Sequence, residues 1–131
     1  MAEHPHIDIV RRALRAVAVG DTAALQQLLT RDCVVYLPGS HPLAGERKGI
    51  DAALDLVRRM REETDGTMRF EPQQVFVDGR GHVIAVRRFM ADRRGRRRDM
   101  VGAVLCTIMG DRVASAEAFE PDLDQTDEFW A

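Results

Sequence analysis

Three polar side chains lie within or beside strand-forming stretches of this sequence, and their types suit acid/base chemistry: Tyr36, His41 and Asp99. A carboxylate such as Asp99, if it lies among apolar neighbours, acquires a raised pKa and can act as a general base near neutral pH. The hydroxyl of Tyr36 can polarise a carbonyl or enolate oxygen without carrying charge. His41 titrates near neutral pH and could move a proton to or from either group. We take these three as the candidate catalytic residues.

Each of the three also has a purely structural interpretation. Asp99 follows Arg96–Arg98 near a hairpin turn, where it would be a solvated carboxylate at the rim of a sheet. Tyr36 would be a core residue whose hydroxyl donates to a backbone carbonyl. His41 would be an exposed imidazole in a loop rich in proline and glycine. The residue pattern leaves both interpretations open.

Alternation along strands determines which neighbours share a face with these groups. One such face comprises Asp99, Val101, Ala103 and Leu105. A second, on the last strand-like stretch, comprises Ala114, Ala116, Ala118 and Glu120. Small alanine side chains would leave room in a pocket, or would let a helix or a dimer partner approach closely. Glu120 would then lie at the end of that pocket or be a solvated charge.

Charge and motif content argue against several other functions. The formal net charge of −2 gives no general attraction to nucleic acid. Arginines crowd residues 87–98 and could grip phosphate or an acidic partner, but aromatic residues do not alternate with them, so we do not expect nucleic acid as a partner. We favour a solvated hairpin that discourages aggregation and pairs with the acidic tail. Neither metal-ligand spacing nor a dinucleotide fingerprint occurs, so we expect no metal and no cofactor.

Apolar spacing predicts the elements that must position these residues. It predicts an amphipathic helix from Ile7 to Val17 and another from Ile50 to Met60, with a short helix capped by Asp21 between them. Strands are predicted at Cys33–Leu37 and Met68–Val77, the second bulged or at an edge because it contains a proline. Three further strands, joined by short turns, follow between residues 82 and 120. After them, a short acidic tail segment is expected to dock Phe129 and Trp130.

The chain as a whole is predicted to be a single domain, residues 1–131, of the α+β class, because segregated helices are followed by an antiparallel meander. Cys33 and Cys106 lie in apolar strand-like runs and are expected to be buried free thiols. We find no signal-peptide pattern and no apolar run of membrane-spanning length. A cytoplasmic protein without membrane association is the resulting expectation.

Two stretches carry a resemblance to a known family. The run VVYLPGSHPLAG follows the first strand, and the chain closes with GDRVASAEAF and then DEFW. Together they resemble the SnoaL-like branch of the nuclear transport factor 2 (NTF2-like) superfamily. The resemblance implies an NTF2-like cone, in which a curved antiparallel sheet wraps on three helices around an internal apolar pocket. It also implies a homodimer formed through the outer face of the sheet.

The superfamily includes polyketide cyclases, ketosteroid isomerases and limonene-epoxide hydrolases, together with non-catalytic binding modules. Several of their proton-transfer acids would fall here at Leu37, Ala103 and Ala118, so these known groups are missing. The family geometry implies that the Asp99 face looks into the cavity and that Tyr36 and His41 lie near its mouth. The predicted ligand-binding residues are Leu37, Val101, Ala103, Leu105, Ala116, Ala118 and Glu120.

From these observations we predict a protein that binds a small apolar, oxygen-bearing molecule, polyketide- or steroid-like in kind. If it is an enzyme, the predicted reaction is a cofactor-free isomerisation or cyclisation by acid/base catalysis. The alternative is a non-catalytic module for ligand binding or protein interaction, which the missing family acids favour.

Overall fold

The computed structural model describes residues 3–131, and over this range the chain forms four helices and six strands. The helices are α1 (Pro5–Val19), α2 (Thr22–Leu28), α3 (Ile50–Glu63) and α4 (Leu123–Trp130). The strands are β1 (Leu29–Leu37), β2 (Gly45–Lys48), β3 (Arg69–Val77), β4 (His82–Arg93), β5 (Arg96–Met109) and β6 (Arg112–Phe119).

The strands form one curved sheet in the order β2-β1-β6-β5-β4-β3. Strands β3 to β6 are an antiparallel meander, and β3 lies at the edge with a bulge between Pro72 and Val75. The predicted α+β cone is therefore confirmed. The expectation of a wholly antiparallel sheet is wrong, because β1 pairs with β6 in parallel. A parallel pair requires a long crossover, and here the chain from β2 to β5 provides it.

Helices α1 and α3 cover the inner face of the sheet, and local sequence explains where they begin and end. Helix α1 starts at a proline and stops where Gly20 adopts φ 71°, a left-handed conformation that glycine tolerates best. Asp21 caps α2 as predicted, since its carboxylate accepts from the Ala24 N–H at 3.0 Å. The buried residues of both α1 and α3 pack into one core with the sheet, in which Cys33 and Cys106 are buried free thiols.

Two elements differ from the sequence prediction. The proline- and glycine-rich loop contains the short strand β2, whose Gly45 pairs with Leu37. The acidic tail forms a helix, α4, which buries Phe129 and Trp130 against the sheet as expected for these two aromatic residues. Among the described residues, no helix combines the length and the apolar character needed to cross a membrane.

The arginine-rich hairpin is only in part the solvated element that the sequence suggested. Its tip is exposed at Arg94, Arg96 and Arg97, but Arg93 and Arg98 are buried, and both bind residues of α4 or the chain end after it. The Arg93 guanidinium donates to the backbone carbonyls of Phe129 and Ala131, at 3.0 and 2.6 Å, and to Glu63 at 2.8 Å. The arginines of the hairpin thus bind mainly the backbone carbonyls of the tail and not its carboxylates.

Candidate functional site

An apolar cavity of about 150 Å³ lies between the inner face of the sheet and the helices. Its walls come from all four helices and from five strands, β1 and β3 to β6, and they are lined mainly by aliphatic and aromatic side chains. Among the lining residues are Val10, Leu14, Val57, Phe70, Phe89 and Trp130. Cys106 also lines the cavity, and burial raises the pKa of its thiol to about 12, so the thiol stays protonated near neutral pH. The walls themselves therefore offer packing but no reactive group.

One end of the cavity is polar, because Arg87 of β4 and Glu120, just after β6, both border it. Arg87 is only 4% exposed, and its Nη2 donates to Oε1 of Glu120 at 3.0 Å. The second carboxylate oxygen, Oε2, lies 3.9 Å from Nη2 of the buried Arg98. Within residues 3–131, Oε2 accepts no hydrogen bond and the buried Nη1 of Arg87 has no partner. The Arg87–Glu120 ion pair thus contains one donor atom, Nη1, and one acceptor atom, Oε2, that make no hydrogen bond.

Local sequence explains how a guanidinium fits inside the cone. Gly102 is the cross-strand neighbour of Arg87 on β5, and a Cβ atom there would overlap Nη1 of Arg87 and lie 2.6 Å from the Phe119 carbonyl oxygen. The missing side chain therefore makes the space that the guanidinium fills. On its other side, the Arg87 Cζ lies 5.6 Å from the centre of the Phe70 ring, within range of a cation–π interaction.

His41 borders the cavity but is committed to its own loop. The Leu43 N–H donates to Nδ1 at 3.2 Å, so Nε2 carries the proton and donates to the Pro38 carbonyl at 3.1 Å. Burial lowers the pKa of His41 below its ordinary value; the Pro38 carbonyl and the carboxylates of Asp127 and Glu120 oppose this shift, and Arg47 adds to it. The imidazole is therefore neutral at neutral pH and holds the PGSHPLAG loop in shape.

A pH dependence of stability follows from that lowered pKa. Because the unfolded chain binds the His41 proton more readily, acidification below about pH 6.5 favours unfolding. We expect His41→Asn to cost about 1–3 kcal/mol of unfolding free energy at neutral pH, since two hydrogen bonds are lost. We expect the gap from the wild type to narrow as the pH falls to about 5. Urea unfolding of both proteins at the two pH values measures this difference in unfolding free energy. A difference that does not change with pH would contradict the lowered pKa of His41.

Several residues predicted from the sequence do border the cavity. These are Tyr36, Leu37, His41, Ala116, Ala118 and Glu120. Tyr36 is nevertheless 41% exposed, and its cross-strand neighbours Glu46 and Glu117 are exposed as well. Leu37 packs against the buried aromatic cluster that contains Phe89 and Trp130. The structure therefore brings Glu120 and His41 to one cavity, with Tyr36 only at its margin.

The expected placement of the Asp99 face in the cavity is wrong. The cavity-lining residues of β5 are Val104 and Cys106, so the residues that alternate with this face lie on the outer face. That outer face carries Asp99, Val101, Ala103 and Leu105. Asp99 accepts two hydrogen bonds of 2.7 Å from Arg88, and this contact holds the pKa of its carboxyl below the ordinary value. A general base near neutral pH needs the opposite shift.

Sequence reasoning missed Arg87, although a signal for it existed. Along β4 the residues Val83, Ala85, Phe89 and Ala91 are all buried, at alternate positions that include Arg87. An arginine in phase with a buried apolar face either has a buried partner or is functional. Because Arg87 is next to Arg88 in the sequence, we interpreted it as part of a solvated group of charged residues.

Comparisons with known proteins agree with this architecture. A family model described as a SnoaL-like domain matches residues 10–116. An uncharacterized protein of Mycobacterium bovis is 36% identical over 131 residues, the full length of both chains. The structure of Bal32a, from a soil-derived mobile gene cassette, aligns with a TM-score of 0.92 at 30% identity, over 97% of each chain.

An NTF2-like protein of unknown function from Burkholderia pseudomallei aligns with a TM-score of 0.85 over 98% of this chain and 99% of its own. Its sequence identity is 16%, so this likeness concerns the fold alone. The family model covers most of the chain, and the fold is the NTF2-like one. The chain belongs to the SnoaL-like family.

Proposed function

We propose that this protein binds one small, mainly apolar molecule that carries an oxygen atom, with that oxygen at the Arg87–Glu120 end of the cavity. The observation that carries the proposal is a buried ion pair, with unused hydrogen-bonding capacity, at the end of an otherwise apolar cavity. Buried polar atoms without partners are rare in folded proteins and call for a partner from outside the chain.

The size of the cavity limits the ligand. A cavity near 150 Å³ accommodates roughly one benzene-sized ring, whereas pockets for drug-sized ligands span about 300–1,000 Å³. We therefore narrow the expected ligand from a polycyclic polyketide- or steroid-like compound to a single ring with few substituents.

The reaction that this pair supports best is a cofactor-free proton transfer, as in an isomerisation or cyclisation. Glu120 would remove a proton from the carbon beside a carbonyl group, and Arg87 would stabilise the negative charge that develops on the carbonyl oxygen. The protonated Glu120 would then return the proton to a carbon of the enolate, which restores the carboxylate. His41 is neutral and engaged at both nitrogens, and Asp99 lies outside the cavity, so neither is the base in this proposal.

Hydrogen exchange on a one-ring ketone tests the proposal without knowledge of the natural substrate. We expect the protein to accelerate exchange of the α-hydrogens of cyclohexanone with deuterium from heavy water, followed by proton NMR. Glu120→Gln should reduce that acceleration by at least about 100-fold, because the amide cannot take up the proton. The matched control is Glu117→Gln, an exposed position on β6.

Two outcomes would contradict the catalytic role. Equal exchange by the wild type and Glu120→Gln would exclude Glu120 as the base. Binding of the ketone without any accelerated exchange would instead favour the non-catalytic alternative, a ligand-binding module. That alternative has its own support in the apolar residues Leu37 and Ala118, which line the cavity where related enzymes carry acids.

We also propose that the outer face of the sheet forms a homodimer. Phe76 and Ile84 are cross-strand partners there, and Leu105 and Ala103 continue this face toward Phe119. The large apolar side chains of the face are 45–51% exposed: Phe76, Ile84, Val101 and Phe119. A sheet that is apolar on both faces is typical of one that is covered on both. A second copy of the chain supplies a face of the same chemistry, as symmetric dimers require.

A further inference from the structure

The buried ion pair specifies which oxygen group the cavity prefers. We infer that the ligand presents a hydroxyl group of the phenol or enol type, which accepts a hydrogen bond from Nη1 of Arg87 and donates one to Oε2 of Glu120. This inference deepens the proposed function and rests on it, because it assumes that the cavity is the binding site.

The argument begins with what each partner lacks. Nη1 of Arg87 is buried without an acceptor among the described residues, and a guanidinium nitrogen can only donate. Oε2 of Glu120 accepts no hydrogen bond within the same range, and a carboxylate can only accept. A single group that satisfies both must therefore accept and donate at once, as a hydroxyl does.

Position supports the same conclusion, since the two atoms lie on one side of the sheet. A Cβ atom built on Gly102 would overlap Nη1 and lie 3.1 Å from Oε2, so both atoms border the same small space. The Arg87 Nη2–Glu120 Oε1 bond of 3.0 Å fixes the pair in this relative orientation. The two free atoms therefore lie close together, and both residues border the cavity.

Hydrogen-bonding capacity argues against the other oxygen groups. A ligand carboxylate can only accept hydrogen bonds, so it would leave Oε2 of Glu120 without a donor. A neutral ketone or ether would satisfy Arg87 but leave Oε2 without a donor. A phenol or an enol satisfies both atoms and remains neutral, and its ring suits the apolar walls.

Three probes of nearly equal size separate these possibilities: phenol, anisole and toluene. Phenol accepts and donates, anisole only accepts, and toluene does neither. Binding is followed through the fluorescence of Trp130, the sole tryptophan, which is buried in the cavity wall. We expect phenol to bind about 10- to 100-fold more tightly than toluene and anisole, the gain typical of hydrogen bonds to charged groups.

A variant then assigns the preference to the ion pair. In Arg87→Met, which keeps the side-chain length but removes every donor, phenol should lose its advantage over toluene. The comparison of probes in the wild type stands even where this variant folds poorly.

Each other outcome has a definite meaning. Equal binding of all three probes would overturn the hydroxyl preference while leaving the cavity as the binding site. Anisole binding as tightly as phenol would overturn the role of Glu120 as acceptor. The proposed function itself would be overturned if no probe changed the fluorescence of Trp130 and no probe competed with cyclohexanone for binding to the protein.

Discussion

Glu120→Ala is expected to lower the free energy of unfolding by about 3–5 kcal/mol, one of the two largest effects that this structure predicts. The reason is that Glu120 is the buried counter-ion of Arg87 and lies near Arg98, and both arginines are at most 5% exposed. Without the carboxylate, two guanidinium groups remain in an apolar interior with little compensation. Urea unfolding followed by circular dichroism measures the loss.

The control lies three residues earlier, on β6. Glu117 is exposed, so Glu117→Ala should change stability by less than about 0.5 kcal/mol. Similar effects of the two substitutions would contradict the buried ion pair. A double variant, Glu120→Leu with Arg87→Met, should recover much of the lost stability, because it removes the unpaired guanidinium that borders the cavity.

Ile84→Lys is expected to convert the proposed dimer to a monomer. Ile84 lies opposite Phe76 and Leu105 on the outer face and is 46% exposed in the single chain. In a symmetric dimer the substitution places two unpaired ammonium groups in one interface. Each costs several kcal/mol when buried, so we expect the dissociation constant to rise by more than about 100-fold.

Sedimentation velocity over a range of protein concentrations measures the change. Val19→Lys is the matched control, because Val19 is 58% exposed at the end of α1 and lies away from the outer face. A wild-type protein that remains monomeric at every concentration would contradict the dimer. So would an Ile84→Lys protein that dimerises as well as the wild type.

Most of the fold could be predicted because its signals are local. The 3- and 4-residue spacing of apolar residues indicated α1 and α3, and Gly20 and Asp21 marked where one helix ends and the next begins. Pro72 indicated an edge strand with a bulge, which is what β3 is. By contrast, the parallel pairing of β1 with β6 depends on contacts between distant parts of the chain, and no local pattern reports it.

The inner face of β5 could not be predicted because both faces of this strand are apolar. The outer face of β5 carries Val101, Ala103 and Leu105, and the inner face carries Val104, Cys106 and Ile108. Hydrophobicity therefore does not distinguish the cavity side of this strand from its outer side. If the wrong face of β5 is assigned to the cavity, each predicted cavity residue is replaced by its neighbour in the sequence. The prediction that Asp99 lies in the cavity has this cause. The apolar outer face that caused the error is the one we propose to be covered by the second subunit.

On β6 the contrast between faces was sharper, and the predicted positions do line the cavity. Ala116 and Ala118 alternate with the exposed Glu117 and Phe119. Glu120 was named from the sequence only as the end of that face. Its partner Arg87 comes from β4, 33 residues earlier, and only the folded sheet brings the two together.

The most direct test of the account is a crystal structure of the protein soaked with phenol. We expect one ring inside the cavity, with its oxygen within hydrogen-bonding distance of Arg87 Nη1 and Glu120 Oε2 and with Trp130 in its wall. A cavity that stays empty at saturating phenol, or a ring bound only on the protein surface, would contradict the central claim that this cavity is the functional site.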